Sequence, residues 1–225
     1  MMKIKHLLLT AILICISCTD KKETVQKDVV PHDNETTIKT AKKLPENLER
    51  WLKFYKAENP DFSADSFTLL DSADLRYSPS AVKANFEEDF NPIYEPFLVY
   101  SPDKSKYIDF DSYHWFTNEN GNPGFEADQQ VSLVHLPSKT VRQLSYFGPS
   151  FTIEDAYWEG DSAAVLLGNT YEKVPFYIRY NFNRNMTYTY RSADTLKVTR
   201  SYTEERLKKK GIGVNDRPRG SDPGA

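Results

Sequence analysis

Apolar residues along the chain follow two different periods. Over Pro45 to Ala57, Leu48, Trp51, Leu52 and Tyr55 recur at i, i+3, i+4 and i+7, the spacing of one face of a helix. Pro45 suits a first turn and Asn59-Pro60 a stop. Residues Pro60 to Pro96 are mixed: a short strand near Phe67 to Leu70, a helix over Ala81 to Phe90, then the Pro-punctuated "NPIYEPF". From Phe97 the period becomes two. The expected strands are Phe97–Ser101, Tyr107–Tyr113, Val131–Leu136, Thr140–Tyr146, Ile153–Trp158, Ala163–Leu167, Phe176–Phe182 and Met186–Arg191, separated by "SPDKSK", "NENGNPG", "PSK", "EGDS" and "NRN". In "FYIRYNF" the alternation sets Phe176, Ile178, Tyr180 and Phe182 on one side, which predicts an antiparallel sheet with one buried face. "SYTEERLKKKG" reads as a short C-terminal helix with its lysines at the negative end of the dipole.

These elements predict a mostly β, β-rich α+β domain over residues 44–210. About eight antiparallel strands form a sandwich or barrel-like sheet, and the N-terminal helix covers an edge or open face. A faint repeat supports two meanders: "YSPDKSKYIDF" with "VSLVHLPSKTVRQL" parallels "YWEGDSAAVLL" with "FYIRYNFNRNMTYTY". These hairpins with their Ser-Pro-Asp turn resemble blades of β-propeller proteins over about half the chain. Two blades cannot close a ring, since propellers use four or more.

The N-terminus has a separate logic. Lys3 and Lys5 precede an apolar run from Leu7 to Ile16 and then Ser17-Cys18, the order of a secretory signal. Ten helical residues reach about 15 Å, half of a bilayer core of about 30 Å. Cys15-Ile16-Ser17-Cys18 resembles the lipobox of bacterial lipoproteins, in a form similar to that of Bacteroidota. It departs from the commonest pattern at its first position, where leucine is usual. The resemblance implies cleavage after residue 17, lipid attachment at Cys18, and anchoring to a bacterial membrane in the cell envelope, outer rather than inner. The alternative is a plain cleaved signal with an incidental cysteine. Residues 18–43 have a tether composition, polar and mixed in charge. As a coil they reach about 25–30 Å. The Gly/Pro-rich residues 211–225 read as a disordered tail.

Composition narrows the partners. Net charge is −3; loss of Lys3 and Lys5 with residues 1–17 makes it −5, which argues against nucleic acid. Both cysteines, Cys15 and Cys18, precede the domain, so the domain has no disulfide and no cysteine zinc site. There is no G-x-S-x-G, H-E-x-x-H, P-loop or dinucleotide fingerprint, hence no cofactor motif. "DFDSYHW" is the best chemical constellation. On a strand Asp109, Asp111 and Tyr113 share a face, with His114 and Trp115 following. The group reads either as a ligand or metal face or as a solvated strand beside a turn. "NENGNPGFEAD" mimics a calcium loop in spacing only, lacking its terminal glutamate. Trp158, Tyr188 and Tyr190 could stack on sugar or peptide, or fill the core. Asp71-Ser72-Ala73, Asp161-Ser162-Ala163 and Asp194-Thr195-Leu196 resemble the O-glycosylation pattern of Bacteroidota envelope proteins. Two functions follow: a non-catalytic envelope lipoprotein that binds a protein or glycan, or a lipid-anchored hydrolase using Asp109, Asp111 and His114.

Overall fold

A computed structural model describes residues 44–213. The signal stretch, Cys18 and the tether lie outside the described residues. Twelve strands form two five-stranded antiparallel sheets and one two-stranded ribbon, so the mostly β architecture of antiparallel meanders is as the alternation predicts. The first sheet is ordered β1 (Phe67–Asp74), β12 (Met186–Ser192), β11 (Pro175–Asn181), β10 (Ala163–Thr170), β9 (Phe151–Glu159). The second is β2 (Ser78–Pro79), β8 (Thr140–Phe147), β7 (Gln129–His135), β4 (Lys106–Asp109), β3 (Val99–Tyr100). Each half of the faint repeat is thus one four-stranded meander, and each meander gains one earlier strand, β1 or β2, beside its last member.

The sheets pack face to face. Ile108, Phe110, Val131 and Leu133 meet Ile153, Ala156, Ala164, Leu166, Phe176 and Ile178 in one buried cluster. Helix α1 (Glu46–Lys56) lies on the other face of the first sheet, where Leu48, Trp51, Leu52 and Tyr55 contact Tyr157, Val165, Leu167 and Tyr177. This corrects the expectation of one buried face: β11 buries Tyr177 beneath α1 as well as Phe176 and Ile178 between the sheets. Strand β10 is buried at all eight positions for the same reason. A loop containing Ala84, Phe86 and Phe90 covers the outer face of the second sheet at Tyr107 and Val134.

Local chemistry explains the other departures. Ala81 to Phe90 forms turns, not a helix. Glu87 accepts from Ala84 N at 2.6 Å, and the Tyr107 hydroxyl accepts from Asn85 N at 3.0 Å. The expected strand Tyr107–Tyr113 ends at Asp109. Its carboxylate takes the amides of Asp111 and Ser112, each at 3.0 Å, an Asx turn that ends pairing. "NENGNPG" is the tip of a ribbon, β5 (Trp115–Thr117) with β6 (Pro123–Phe125). Helix α2 (Tyr202–Lys209) ends in a Schellman motif: Gly211 at φ +84°, Gly211 N to Lys208 O and Ile212 N to Leu207 O at 3.0 and 3.1 Å. Leu207 is buried with Ile212 packed on it, so the packed domain includes Ile212, inside the expected tail; residues 214–225 lie outside the described residues.

Candidate functional site

Most of the chemistry-bearing side chains converge where α1 and α2 meet β9. A register shift between β10 residues Leu167 and Gly168 leaves Glu154 as an extra residue on β9. A bulge of this kind breaks the alternation of side chains, so both Glu154 and Asp155 reach the helical layer. Trp51 Nε1 and Tyr55 OH donate to Glu154 at 2.7 and 2.6 Å, and Asn169 Nδ2 donates at 3.0 Å. Asp155 accepts from Asn47 Nδ2 at 2.9 Å, Arg50 Nη2 at 2.9 Å and Tyr202 OH at 2.5 Å. Burial raises the Glu154 carboxyl above its ordinary range, against the lowering effect of its three donors.

Asp111 sits beside this network in a second buried pair. Arg206 of α2 grips it with two bonds, Nη2 to Oδ1 at 2.6 Å and Nη1 to Oδ2 at 2.9 Å, a fork geometry of planar guanidinium on carboxylate. Trp115 Nε1 adds a third at 2.9 Å. The guanidinium also lies over Phe110 and Phe97, 4.8 and 5.5 Å from the ring centres. Burial acts to lower the Arg206 pKa, but the attraction of Asp111 outweighs it and the net shift is upward.

The residues singled out in "DFDSYHW" therefore do not assemble into a reactive face. Asp109 is 1 % exposed and caps its own turn, with Ser112 Oγ donating at 2.6 Å; burial raises its pKa. Trp115 is buried against Tyr94 and Phe97. His114 packs beside Phe125, its Nδ1 buried without a partner, and burial lowers its pKa. Tyr113 turns to the surface, its ring 5.7 Å from that of Tyr146.

The three aromatics on the first sheet are also dispersed. Trp158 is half-buried, donates to Val99 O at 2.8 Å and packs on Phe182. Tyr190 stacks on Tyr177 at 4.3 Å, and Tyr188, half-buried, lies on the same strand, separated from Trp158 by two intervening strands. Ser72 and Thr195 are exposed and Ser162 is half-buried.

Two surface features escape a sequence reading. One is a groove of about 520 Å³ between α1 and α2, lined in part by Lys53, Phe54, Arg200, Lys209 and Lys210. Much of its charge is internally matched: Arg50 to Asp155, Arg200 to Glu58 and Glu205, Lys209 to Glu205. The other sets Tyr113 against Tyr146, which is 47 % exposed and donates to Asp128 Oδ2 at 2.9 Å. A register shift leaves Leu144 as an extra residue on β8 and breaks the alternation just before Tyr146, and the neighbours of Tyr146 come from distant positions.

Among the described residues no group of three His, Cys, Asp or Glu side chains is placed to hold a metal ion, and no helix is long and apolar enough to cross a membrane. No protein-family model, no curated protein and no solved structure matches the chain.

Proposed function

We propose that the protein is a lipid-anchored envelope lipoprotein, attached through Cys18, whose β-rich domain is a non-catalytic binding module for a protein or glycan partner. The observation that carries the reading is the engagement of Asp109 and Asp111. One caps a turn and the other is bound by Arg206 and Trp115, which leaves neither as a general acid or base within reach of a substrate. The tether composition of residues 18–43 suits a domain held off a membrane to meet a partner.

A glycan is favoured as one partner class by the surface group of Tyr113, Tyr146 and Asp128. Two aromatic rings offer faces to sugar C–H groups, and a carboxylate beside two hydroxyls offers hydrogen bonds.

Two experiments test the proposal. Cys18→Ser should abolish fatty-acid labelling; unchanged labelling refutes the anchor. A screen of ester, glycoside and peptide substrates on the purified protein should find no turnover. Turnover that Asp109→Asn removes without loss of fold refutes the binding module and restores the anchored hydrolase.

A further inference from the structure

Two five-stranded sheets present four edges, and three of them are blunted. On the second sheet both edge strands, β2 and β3, are two residues long. On the first sheet the β9 edge is stoppered by side chains. Gln129 donates to Ile153 O and accepts from Ile153 N at 3.0 and 2.8 Å, Asn47 donates to Ala156 O at 2.5 Å, and Asp155 takes Ala156 N at 2.9 Å. Short strands and covered backbone are the means by which proteins suppress unwanted strand pairing.

The fourth edge is different. Strand β1 is eight residues long, pairs among the described residues only with β12, and is exposed at seven positions. Leu69 and Leu70 are 46 % and 62 % exposed, and the register shift between Leu69 and Asp71 leaves Leu70 as the extra residue that protrudes. Lysine and proline, two of the usual guards of an edge, are missing from Ser63 to Leu75; its guards are the bulge at Leu70 and the charges of Asp65, Asp71 and Asp74, which repel acidic partners and admit basic ones.

We propose that the β1 edge is a docking site for strand addition, and that its occupant is an extended segment of another protein whose aliphatic residues are interrupted by basic ones at a spacing of three, matching Asp71 and Asp74 on the two faces of the strand. The open backbone supplies the hydrogen bonds of an added strand, and the exposed leucines supply apolar contact. The aspartates decide between partners. A second copy of this chain would bring a segment with three aspartates and no lysine or arginine against itself, whereas lysines or arginines opposite the aspartates attract. The inference rests on the binding-module reading and gives it a surface and a partner chemistry.

The test uses the full chain in detergent and three blocked heptapeptides. One has lysine at its first, fourth and seventh positions with valine between, the second has glutamate in place of lysine, and the third is the lysine peptide with proline at its third position. Backbone amide exchange is followed residue by residue. The lysine–valine peptide should slow exchange along β1 about tenfold when present at ten times its dissociation constant, and leave β9 unchanged. The glutamate and proline peptides should not protect β1. Asp71→Lys with Asp74→Lys, both at exposed positions, should reverse the preference toward the glutamate peptide; Leu70→Gln should weaken all binding while keeping the charge preference. Absence of protection at β1, equal protection by both charged peptides, or concentration-dependent self-association that Leu70→Lys abolishes would each overturn the proposal. Enzymatic turnover would overturn the binding-module reading alone, and leave the exchange result standing.

Discussion

Asp111→Asn separates a structural carboxylate from a catalytic one. The substitution keeps the size of the side chain and removes its charge. Arg206, whose side chain is 7 % exposed against 1 % for Asp111, would then lie buried between Phe97 and Phe110 without its counter-ion. Its Nε already lacks a partner, so no spare hydrogen bond compensates. Breaking one side of a buried pair costs about 3–5 kcal/mol, a large share of the roughly 5–15 kcal/mol that holds a domain folded. At about 2–4 °C per kcal/mol for a domain of this size, the melting temperature should fall by roughly 6–20 °C.

Arg206→Met alone should cost a similar amount, because it strands the carboxylate. The double variant removes both charges and should recover about 2 kcal/mol or more of the summed loss. Urea unfolding followed by tryptophan fluorescence measures all three, and Trp115, bonded to Asp111, reports from the pair itself. A single Asp111→Asn variant within about 0.5 kcal/mol of the parent, the range of ordinary surface changes, would refute the buried-pair account. So would strictly additive losses in the double variant.

Two further outcomes follow from the β9 bulge. Burial raises Glu154 above its ordinary value of 4.5, so the folded state binds its proton more tightly than the unfolded state. Stability from this group is therefore greatest below the unfolded pKa and declines as pH rises through the raised folded value; Glu154→Gln should flatten that decline. His114 works oppositely, since its pKa is lowered and stability falls as pH drops below the unfolded value near 6.5. Urea titrations at several pH values compare the two proteins, and an unchanged slope in Glu154→Gln would refute the assignment. At the other side of the bulge, a Cβ on Gly168 would lie 2.4 Å from the Thr152 carbonyl oxygen and 2.7 Å from Phe176 Cζ. Gly168→Ala should cost about 1–3 kcal/mol by overpacking. Calorimetry showing no loss would mean the bulge can relax.

The later strands were legible because each one's own residues carry the signal. From β7 to β12 apolar, β-branched and aromatic residues dominate, alternating in β11 and running on without a break in β10, and Gly, Asn and Asp punctuate the strands. Where a side chain captures nearby backbone, as Asp109 and Glu87 do, period alone misleads, since the competing hydrogen bond is invisible to a hydrophobic pattern. The double burial of β11 was hidden for another reason: Tyr177 is equally at home facing water or a helix. The polar network was not legible at all. Arg206 and Asp111 are 95 positions apart, Tyr202 and Asp155 are 47 apart, and Trp51 and Glu154 are 103 apart. No local spacing joins such residues. What could have raised suspicion is the adjacency of two carboxylates, Glu154 and Asp155, inside an otherwise apolar strand.

That pair of carboxylates ties the two ends of the domain to one strand, and this has a kinetic consequence. Tyr202 and Arg206 come from the last helix of the domain. Until they emerge, Asp155 lacks its tyrosine donor and Asp111 its cation, whereas two of the donors to Glu154, Trp51 and Tyr55, are made long before it. Closure of such distant contacts is slow relative to local pairing. A nascent chain should therefore stay open, and protease-sensitive, until α2 has been made. Under the proposed lipoprotein reading, late closure would keep the polypeptide threadable during passage across a membrane and set the moment of folding at its arrival.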